Sequence, residues 1–341
     1  MNAYRRLFSG PLGAIAIAVA LAALAMIVAG VSPIAGFSAL FGGALGGTSN
    51  IAETLVQTTA LLFPALGITL AFRGGLFNIG AEGQLLIGGL AAGAVGAHLH
   101  APTAVAAVVL LGLGAIAGGV WGGLAGWMKA YFNANEIIST LMLNFVAAAL
   151  ASYLVVGPLR SPQATGAETA PLPHSAWLPL IVPDTRLSIS ILVAVALAFL
   201  LRFVLTRTIF GYELRAVGEA PEAARRNGVQ MRRMTWLTLA LSGAISGLGG
   251  ATIVTGVMHT FNTELSPGYG FTAIAVALVG DLDPLWVCVA AFGFGILESG
   301  GLAMQAVAQV PKDAIHVIEG CIILILAARR YVATRTESAP V

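Results

Sequence analysis

The chain has 341 residues, of which 58% are hydrophobic and only 9% are charged, and its mean hydropathy is +0.90. Soluble proteins carry roughly 25% charged residues, so this composition excludes an ordinary soluble domain. The net charge of +2 gives no reason to expect a nucleic-acid partner. Apolar runs of membrane-spanning length and 42 glycines are typical of packed transmembrane helices in a lipid bilayer. We predict an all-α, polytopic membrane protein with one transmembrane domain over residues 1–341.

The apolar runs predict about ten membrane spans. They cover residues 11–31, 51–72, 84–99, 102–128, 136–157, 187–206, 234–257, 271–281, 284–300 and 313–328. The third, eighth, ninth and tenth are shorter than the ~20 residues of a full crossing, so we expect them to be tilted, broken or partly re-entrant. The first run is too long for a signal peptide and lacks a convincing cleavage site, which favours a retained helix.

The basic residues predict the orientation. If the N-terminus is inside, 13 of the 17 lysines and arginines fall in inner segments. The outer segments then hold only Arg160, Arg186 and Lys312, and Arg73 stays unassigned. This asymmetry predicts that both termini of a multi-pass membrane protein are cytoplasmic.

Two connections are long. Residues 158–186 are rich in proline, which predicts an irregular external loop. Residues 207–233 form a basic segment that we place in the cytoplasm. Neither connection can bury a core, so any energy source must be another subunit or an ion gradient.

The cytoplasmic segment contains the signals of one short helix. Pro221 suits the first helical position, Glu222 the first turn, Arg225 the last turn, and Gly228 the stop. About seven residues cannot form a stable helix alone, so this one needs a surface to pack on. Two interpretations stay open: a solvated basic loop that only sets topology, or a docking helix for a cytoplasmic partner.

A polar stretch interrupts the apolar runs at residues 72–89, "FRGGLFNIGAEGQLLIGG". Its glycines disfavour a regular helix, so we expect the chain to break and restart near residues 78–83. Broken helices at membrane depth are tolerated only when they are buried in protein or line an aqueous path. The stretch is therefore either a tight inner turn or part of a transport route.

Both alternatives use the same side chains. In a route, Asn78, Glu82 and Gln84 would contact hydroxyls or amides, and Phe77 would stack on a ring. In a turn, Asn78 and Glu82 would cap the next helix, and Arg73 would mark the membrane edge.

A second polar face lies on "NANEIISTLMLNF", residues 133–145. Glu136, Thr140 and Asn144 are spaced four apart, which places them on one side of a helix. This face either lines the route or is structural, with Glu136 at the helix start and Asn144 bonded to a neighbouring helix.

Four ordered motifs carry a family resemblance. "GLFNIGAEGQLLIGG", "NEIISTLMLNFVA", "GYELRAVGEAPEAARRNGVQ" and "GFTAIAVALVGDLDP" resemble signatures of ABC importer permeases of the ribose and branched-chain amino acid type. The form "GLFNIGAEGQ" is similar to the nucleoside-uptake branch rather than to the ribose branch. The resemblance extends from about Glu53 to Arg330.

The resemblance implies a permease subunit of the bacterial plasma (inner) membrane that forms a pathway for nucleosides or a related sugar-containing solute with a second permease, which is usually a different chain in this branch. It also implies cytoplasmic ATPase subunits and an external substrate-binding lipoprotein. The candidate pathway residues, taken from the two polar stretches above, are Phe77, Asn78, Glu82, Gln84 and Asn144. The implied ATPase-docking residues are Glu219, Pro221, Glu222, Ala223, Ala224, Arg225 and Gly228.

Other functional classes find less support in the residues. No phosphate-binding GxxxxGK[ST] loop, HExxH or GxSxG motif is present, so we expect no catalytic residue. Cys288 and Cys321 are isolated, and neither a metal nor a cofactor is expected. The alternative is an ion-coupled secondary transporter, which would need a titratable residue inside the membrane. Glu82, Glu136 and Glu298 are the candidates, and none is clearly at mid-span from the sequence.

Overall fold

A computed structural model describes residues 11–28, 30–164, 166–309 and 320. In this part of the chain the regular structure is helical, with two isolated β-bridges and no strand. The α-helices are α1 (Pro11–Val28), α2 (Pro33–Leu45), α3 (Thr48–Arg73), α4 (Ala81–Gly96), α5 (Thr103–Phe132), α6 (Glu136–Val156), α7 (Ser190–Arg207), α8 (Ile209–Glu219), α9 (Pro221–Arg226), α10 (Met231–Ile253), α11 (Tyr269–Val279) and α12 (Pro284–Ala308). A π-helical turn, Val254–Met258, continues α10.

The predicted helical membrane protein is confirmed, and the helices match most of the predicted spans. Six described helices are long and apolar enough to cross a bilayer: α3, α5, α6, α7, α10 with its π turn, and α12. The expected short third and eighth spans are α4, with 16 residues, and α11, with 11. The tenth predicted span, 313–328, lies outside the described residues, as does Cys321.

The predicted spans differ from the helices in two places. The ninth span was expected to end near residue 300, but α12 continues to Ala308 and has 25 residues, which is enough for a full crossing. No prediction was made for α2, a 13-residue helix that begins at Pro33.

The chain divides into two compact units. One comprises residues 1–54 and 293–341, and the other comprises residues 55–292. In the first unit, Met26 is fully buried against α2, and Gly300 of α12 lies against the backbone of Leu40. The second unit contains α4 to α11 and every residue of the candidate site.

The second unit is built on a glycine-mediated contact between α5 and α10. Gly114, Gly118 and Gly122 share one face of α5 and lie against Gly243 and Gly247 of α10. A Cβ atom on Gly118 would overlap the carbonyl oxygen of Gly243 and come within 2.6 Å of the Gly247 Cα. Since lipid tails are as apolar as leucine, such close backbone packing is what drives helix association in a bilayer.

α4 is enclosed by this packing. Every residue from Ala81 to Leu90 is buried, and α4 packs on α5, α6 and α10. Gly88 of α4 lies directly against the backbone of Gly247. A helix too short to cross the bilayer is tolerated here because protein, not lipid, surrounds its ends.

The predicted proline-rich loop is irregular, with only one three-residue helical turn, His174–Ala176. It pairs with the segment after α10: the Thr169 N–H donates to the Phe261 carbonyl (2.9 Å), and the Leu172 N–H to that of His259 (2.8 Å). The His259 ring stacks on Trp177 with ring centroids 3.7 Å apart and planes 8° apart. Burial lowers the pKa of His259, which keeps the stacked imidazole neutral near pH 7.

We expect Gly118→Leu to prevent stable assembly of the second unit. The added side chain would force α5 away from α10, at about 3 kcal/mol or more, the upper part of the usual cost of overpacking. Gly112→Leu is the matched control on the same helix, because a Cβ atom there meets nothing within 4 Å. Thermal unfolding of the two detergent-purified variants measures the difference, and equal melting temperatures would contradict the packing argument.

Candidate functional site

The predicted helix break lies between α3 and α4. α3 ends in a Schellman motif: the Leu76 N–H donates to the Ala71 carbonyl (3.0 Å) and the Gly75 N–H to that of Phe72 (3.1 Å). Gly75 has φ +70°, a conformation that glycine adopts without strain. The chain is then irregular through Gly80, and α4 begins at Ala81. The predicted break and restart are confirmed.

Two amide side chains hold the break together. Asn78 Nδ2 donates to Gln84 Oε1 (2.9 Å), and Gln84 Nε2 donates back to Asn78 Oδ1 (3.0 Å). Asn78 Nδ2 also donates to Ser242 Oγ of α10 (2.7 Å), and the Ser242 hydroxyl donates to the Gly67 carbonyl of α3 (2.6 Å). Asn78 and Gln84 are almost completely buried. Their amides therefore link α3, α4 and α10.

α6 binds the backbone on both sides of the break. Asn144 Oδ1 accepts the Gly83 N–H (2.9 Å), and Asn144 Nδ2 donates to the Ile79 carbonyl (2.9 Å). The Thr140 hydroxyl accepts the Ile79 N–H at 3.3 Å and donates to the Glu136 carbonyl at 2.6 Å. Irregular backbone inside a membrane has no water to bond to, so these two side chains replace the missing helical partners.

Glu136 has a different position from its predicted companions. Its carboxylate pairs with Lys129 Nζ at 2.9 Å, and Asn135 caps the helix by accepting the Ile137 and Ile138 N–H groups. Glu136 lies in the first turn of α6, where a negative charge is favoured by the helix dipole. The structural interpretation of Glu136 fits this geometry.

Glu82 connects the N-termini of the two short helices. It lies in the first turn of α4, and its Oε2 accepts the Gly270 N–H in the first turn of α11 at 2.7 Å. A Cβ atom on Gly270 would overlap the Glu82 backbone, so the two helix ends are in direct contact. The Glu82 side chain is buried, and its carboxyl group lies at the amino ends of both short helices.

The turn after α11 assigns Arg73 to one end of the helices. Arg73 Nε donates to the Leu282 carbonyl (2.9 Å), and Arg202 forms an ion pair with Asp283 (2.8 Å). This places the unassigned Arg73 at the same end as Arg202, the end that the sequence predicts to be inside. α11 has 11 residues, so Glu82 lies about 16 Å along this helix from that turn.

Phe77 is the exposed member of the predicted pathway set. Its side chain is 50% exposed, and its ring lies 5.0 Å from that of Phe72. The structure brings Asn78, Gln84 and Asn144 into one hydrogen-bonded cluster with Glu82 beside it, whereas Phe77 lies at the cluster's surface. A pathway role for these five residues stays a prediction.

The basic segment contains two helices where the sequence predicted one. α8 was not predicted, and it packs on the break: Leu214 lies over Gly74, and the Gly218 backbone contacts that of Gly75. The predicted helix is α9, with Pro221 as its first residue and Gly228 (φ +86°) ending it. Thus the helix proposed for docking follows directly after one that touches the break.

Of the predicted docking residues, the structure exposes Glu219, Pro221, Glu222, Ala223, Arg225 and Gly228 and buries Ala224. Sequence reasoning missed Ser242, Gly218 and Gly270, which complete the surroundings of the break. Glycine and serine are common throughout this chain, so no signal in the sequence distinguished these three positions.

Comparison with known proteins identifies the family. The family described as "Branched-chain amino acid transport system / permease component" matches residues 50–327. The chain belongs to this family. Among its relatives, the guanosine ABC transporter permease protein NupP of Bacillus subtilis is 37% identical over 93% of this chain and 92% of its own length. The glucose ABC transporter permease protein TsgB13 of Haloferax volcanii is 33% identical over 95% and 88%.

A second Bacillus subtilis relative, the guanosine ABC transporter permease protein NupQ, is 29% identical over 73% of this chain and 80% of its own length. No solved structure matches the chain. Family membership confirms the predicted ABC importer permease, a transport subunit of the inner membrane and not an enzyme. Family membership therefore favours the ABC importer permease over the ion-coupled alternative. Membership also implies ATPase, second-permease and substrate-binding partners.

We expect Asn144→Ala to destabilise the protein by about 2–4 kcal/mol, because the buried Gly83 N–H and Ile79 carbonyl would both lose their partner. Asn227→Ala is the control, since that asparagine is exposed and bonds only within its own turn. Unfolding of both variants in mixed micelles gives the comparison. If both variants lose the same free energy of unfolding, Asn144 does not stabilise the break.

Proposed function

We propose that this permease imports nucleosides or related sugar-containing solutes. The observation that carries the proposal is the 37% identity to a guanosine permease protein over 93% of the chain. The nucleoside-type form "GLFNIGAEGQ" supports it, and the asparagine and glutamine of this motif pair across the break. The similarity to a glucose permease protein keeps sugar-containing solutes within the class.

The residues of the break have two roles in this proposal. Phe77 contacts the solute, since its ring is exposed and can stack on a nucleobase. Asn78, Gln84 and Asn144 hold the backbone that presents Phe77, because their polar atoms are already engaged within the protein. Glu82 contributes through its bond to α11 rather than by carrying an ion.

The ATPase docks on α9. This helix has only six residues, and Ala224 is buried while Glu222, Ala223 and Arg225 are exposed. A helix this short cannot transmit force on its own, but α8 precedes it and contacts Gly74 and Gly75 through Leu214 and Gly218. A displacement of α9 by the ATPase would therefore reach the break through two directly packed backbones.

The second permease is a different chain. Two guanosine permease proteins of one organism, NupP and NupQ, match this sequence to different extents, 37% over 93% of it and 29% over 73%. This chain corresponds to the first of them, and a NupQ-like chain completes the pathway.

The loop of residues 158–186, held against residues 255–262, faces outward and receives a substrate-binding lipoprotein.

We expect Ala223→Trp to abolish both ATPase retention and ATP-driven uptake, because the indole would occupy the exposed face of α9 without disturbing Ala224. Co-purification of the ATPase and uptake into vesicles measure the two effects. Thr206→Trp is the control, an exposed position outside α9. An ATPase that still co-purifies with Ala223→Trp would refute docking on this helix.

We expect Phe77→Ala to raise the half-saturating guanosine concentration about tenfold, since base–aromatic stacking contributes roughly 1–3 kcal/mol. Phe77→Tyr should restore uptake, and Phe203→Ala, another exposed phenylalanine, should leave it unchanged. Guanosine uptake by the full importer, reconstituted in vesicles, is measured for each variant. If guanosine uptake by Phe77→Ala is normal, Phe77 does not contact the solute. If the wild-type importer transports no nucleoside, the proposed substrate class is wrong.

A further inference from the structure

A groove of about 1100 Å³ lies where the end of α5, the start of α10 and helix α9 meet. Its charged lining consists of three arginines and one glutamate: Arg225, Arg232, Arg233 and Glu222. Its aromatic lining consists of Trp127, Tyr131 and Trp236. The groove therefore combines a positive surface with exposed rings. The proposed pathway uses none of these side chains, and Glu222 and Arg225 belong also to the proposed docking surface on α9.

The groove arginines have no acidic partner within the described residues. Other basic groups at this end do have one: Lys129 pairs with Glu136, and Arg202 with Asp283. Arg232 instead lies over the ring of Tyr131, with its Cζ 5.7 Å from the ring centroid. Three unpaired guanidinium groups against one carboxylate leave a net positive groove that favours an anionic occupant.

The aromatic residues indicate where this anion comes from. Trp127, Tyr131 and Trp236 are 45%, 59% and 41% exposed, and they lie at the ends of two membrane-spanning helices. Within the described chain, neither the Trp127 nor the Trp236 indole N–H donates a hydrogen bond. Tryptophan and tyrosine at such positions lie at the headgroup level of a bilayer, with the ring in the apolar layer and the polar edge outward.

We propose that this groove binds the headgroup of an anionic phospholipid of the inner leaflet. Arg232, Arg233 and Arg225 bind the phosphate, as basic pockets between membrane helices do on cytoplasmic faces, and the aromatic rings lie beside the headgroup. The assignment of this end to the cytoplasm and of α9 to ATPase docking rests on the proposed function. The lipid would then join α9 to the ends of α5 and α10 and stabilise the docking surface.

The test is native mass spectrometry of the full-length chain titrated with phosphatidylglycerol or with phosphatidylcholine of the same acyl chains. Phosphatidylglycerol should bind at least about tenfold more tightly. Arg232→Gln/Arg233→Gln should weaken its binding about thirtyfold, since each basic residue near an anionic surface contributes roughly fivefold. Arg232→Lys/Arg233→Lys should recover most of the affinity. The control Arg207→Gln/Arg226→Gln removes equal charge from the same end outside the groove and should change binding less than about threefold.

Several results would overturn the proposal. Equal affinity for the two lipids would show that charge is not recognised, and equal weakening by the control would show that the groove is not the site. Displacement of the lipid by inorganic phosphate would assign the groove to a soluble anion. If Arg232→Gln/Arg233→Gln leaves lipid binding unchanged but abolishes ATPase co-purification, the groove binds the ATPase instead.

If that variant does not fold, Arg225→Gln alone should still weaken phosphatidylglycerol binding about fivefold. Lipid binding needs neither ATPase nor substrate, so its failure is distinct from failure of the proposed function.

Discussion

The structure of the second unit depends on how irregular backbone is satisfied inside a membrane. A helix that stops at mid-depth exposes amide and carbonyl groups where no water is available, at a cost of several kcal/mol for each unpaired group. Here two side chains of α6 bind those groups, and Asn78 Oδ1, in an amide held by Gln84 of α4 and Ser242 of α10, accepts the Gly80 N–H. Since these partners come from different helices, the break can exist only after α3, α4, α6 and α10 have assembled.

The glycines make this assembly possible. Asn78 reaches Ser242 because α4 and α10 approach to backbone contact at Gly88 and Gly247. Asn144 reaches the Gly83 N–H because that glycine lets α6 lie close against α4. The same residue type therefore breaks a helix at Gly75 and packs helices at Gly118 and Gly247. In a chain with 42 glycines, composition alone cannot separate these two uses.

The sequence predicted the helical spans, the break and the short helix α9 because each depends on local signals: apolar length, glycine spacing, and proline followed by acidic and then basic residues. It also selected Asn78, Glu82, Gln84 and Asn144, since polar residues are costly in lipid and stand out in an apolar chain. Their partners were not predictable. Ser242 is 164 residues from Asn78 and Gly270 is 188 from Glu82, and small residues such as these occur throughout the chain. The length of α12 was missed because Glu298 and Gln305 resemble the edge of a span, although a helix inside a protein tolerates them.

The bond between Glu82 and Gly270 has a consequence for motion. One carboxylate serves the amino ends of two half-length helices, and the backbones touch there without an intervening side chain. Pulling these helices apart would break the bond to the Gly270 N–H and leave that buried donor without its partner, which costs more than sliding packed apolar faces. The amino ends of α4 and α11 are therefore expected to move together.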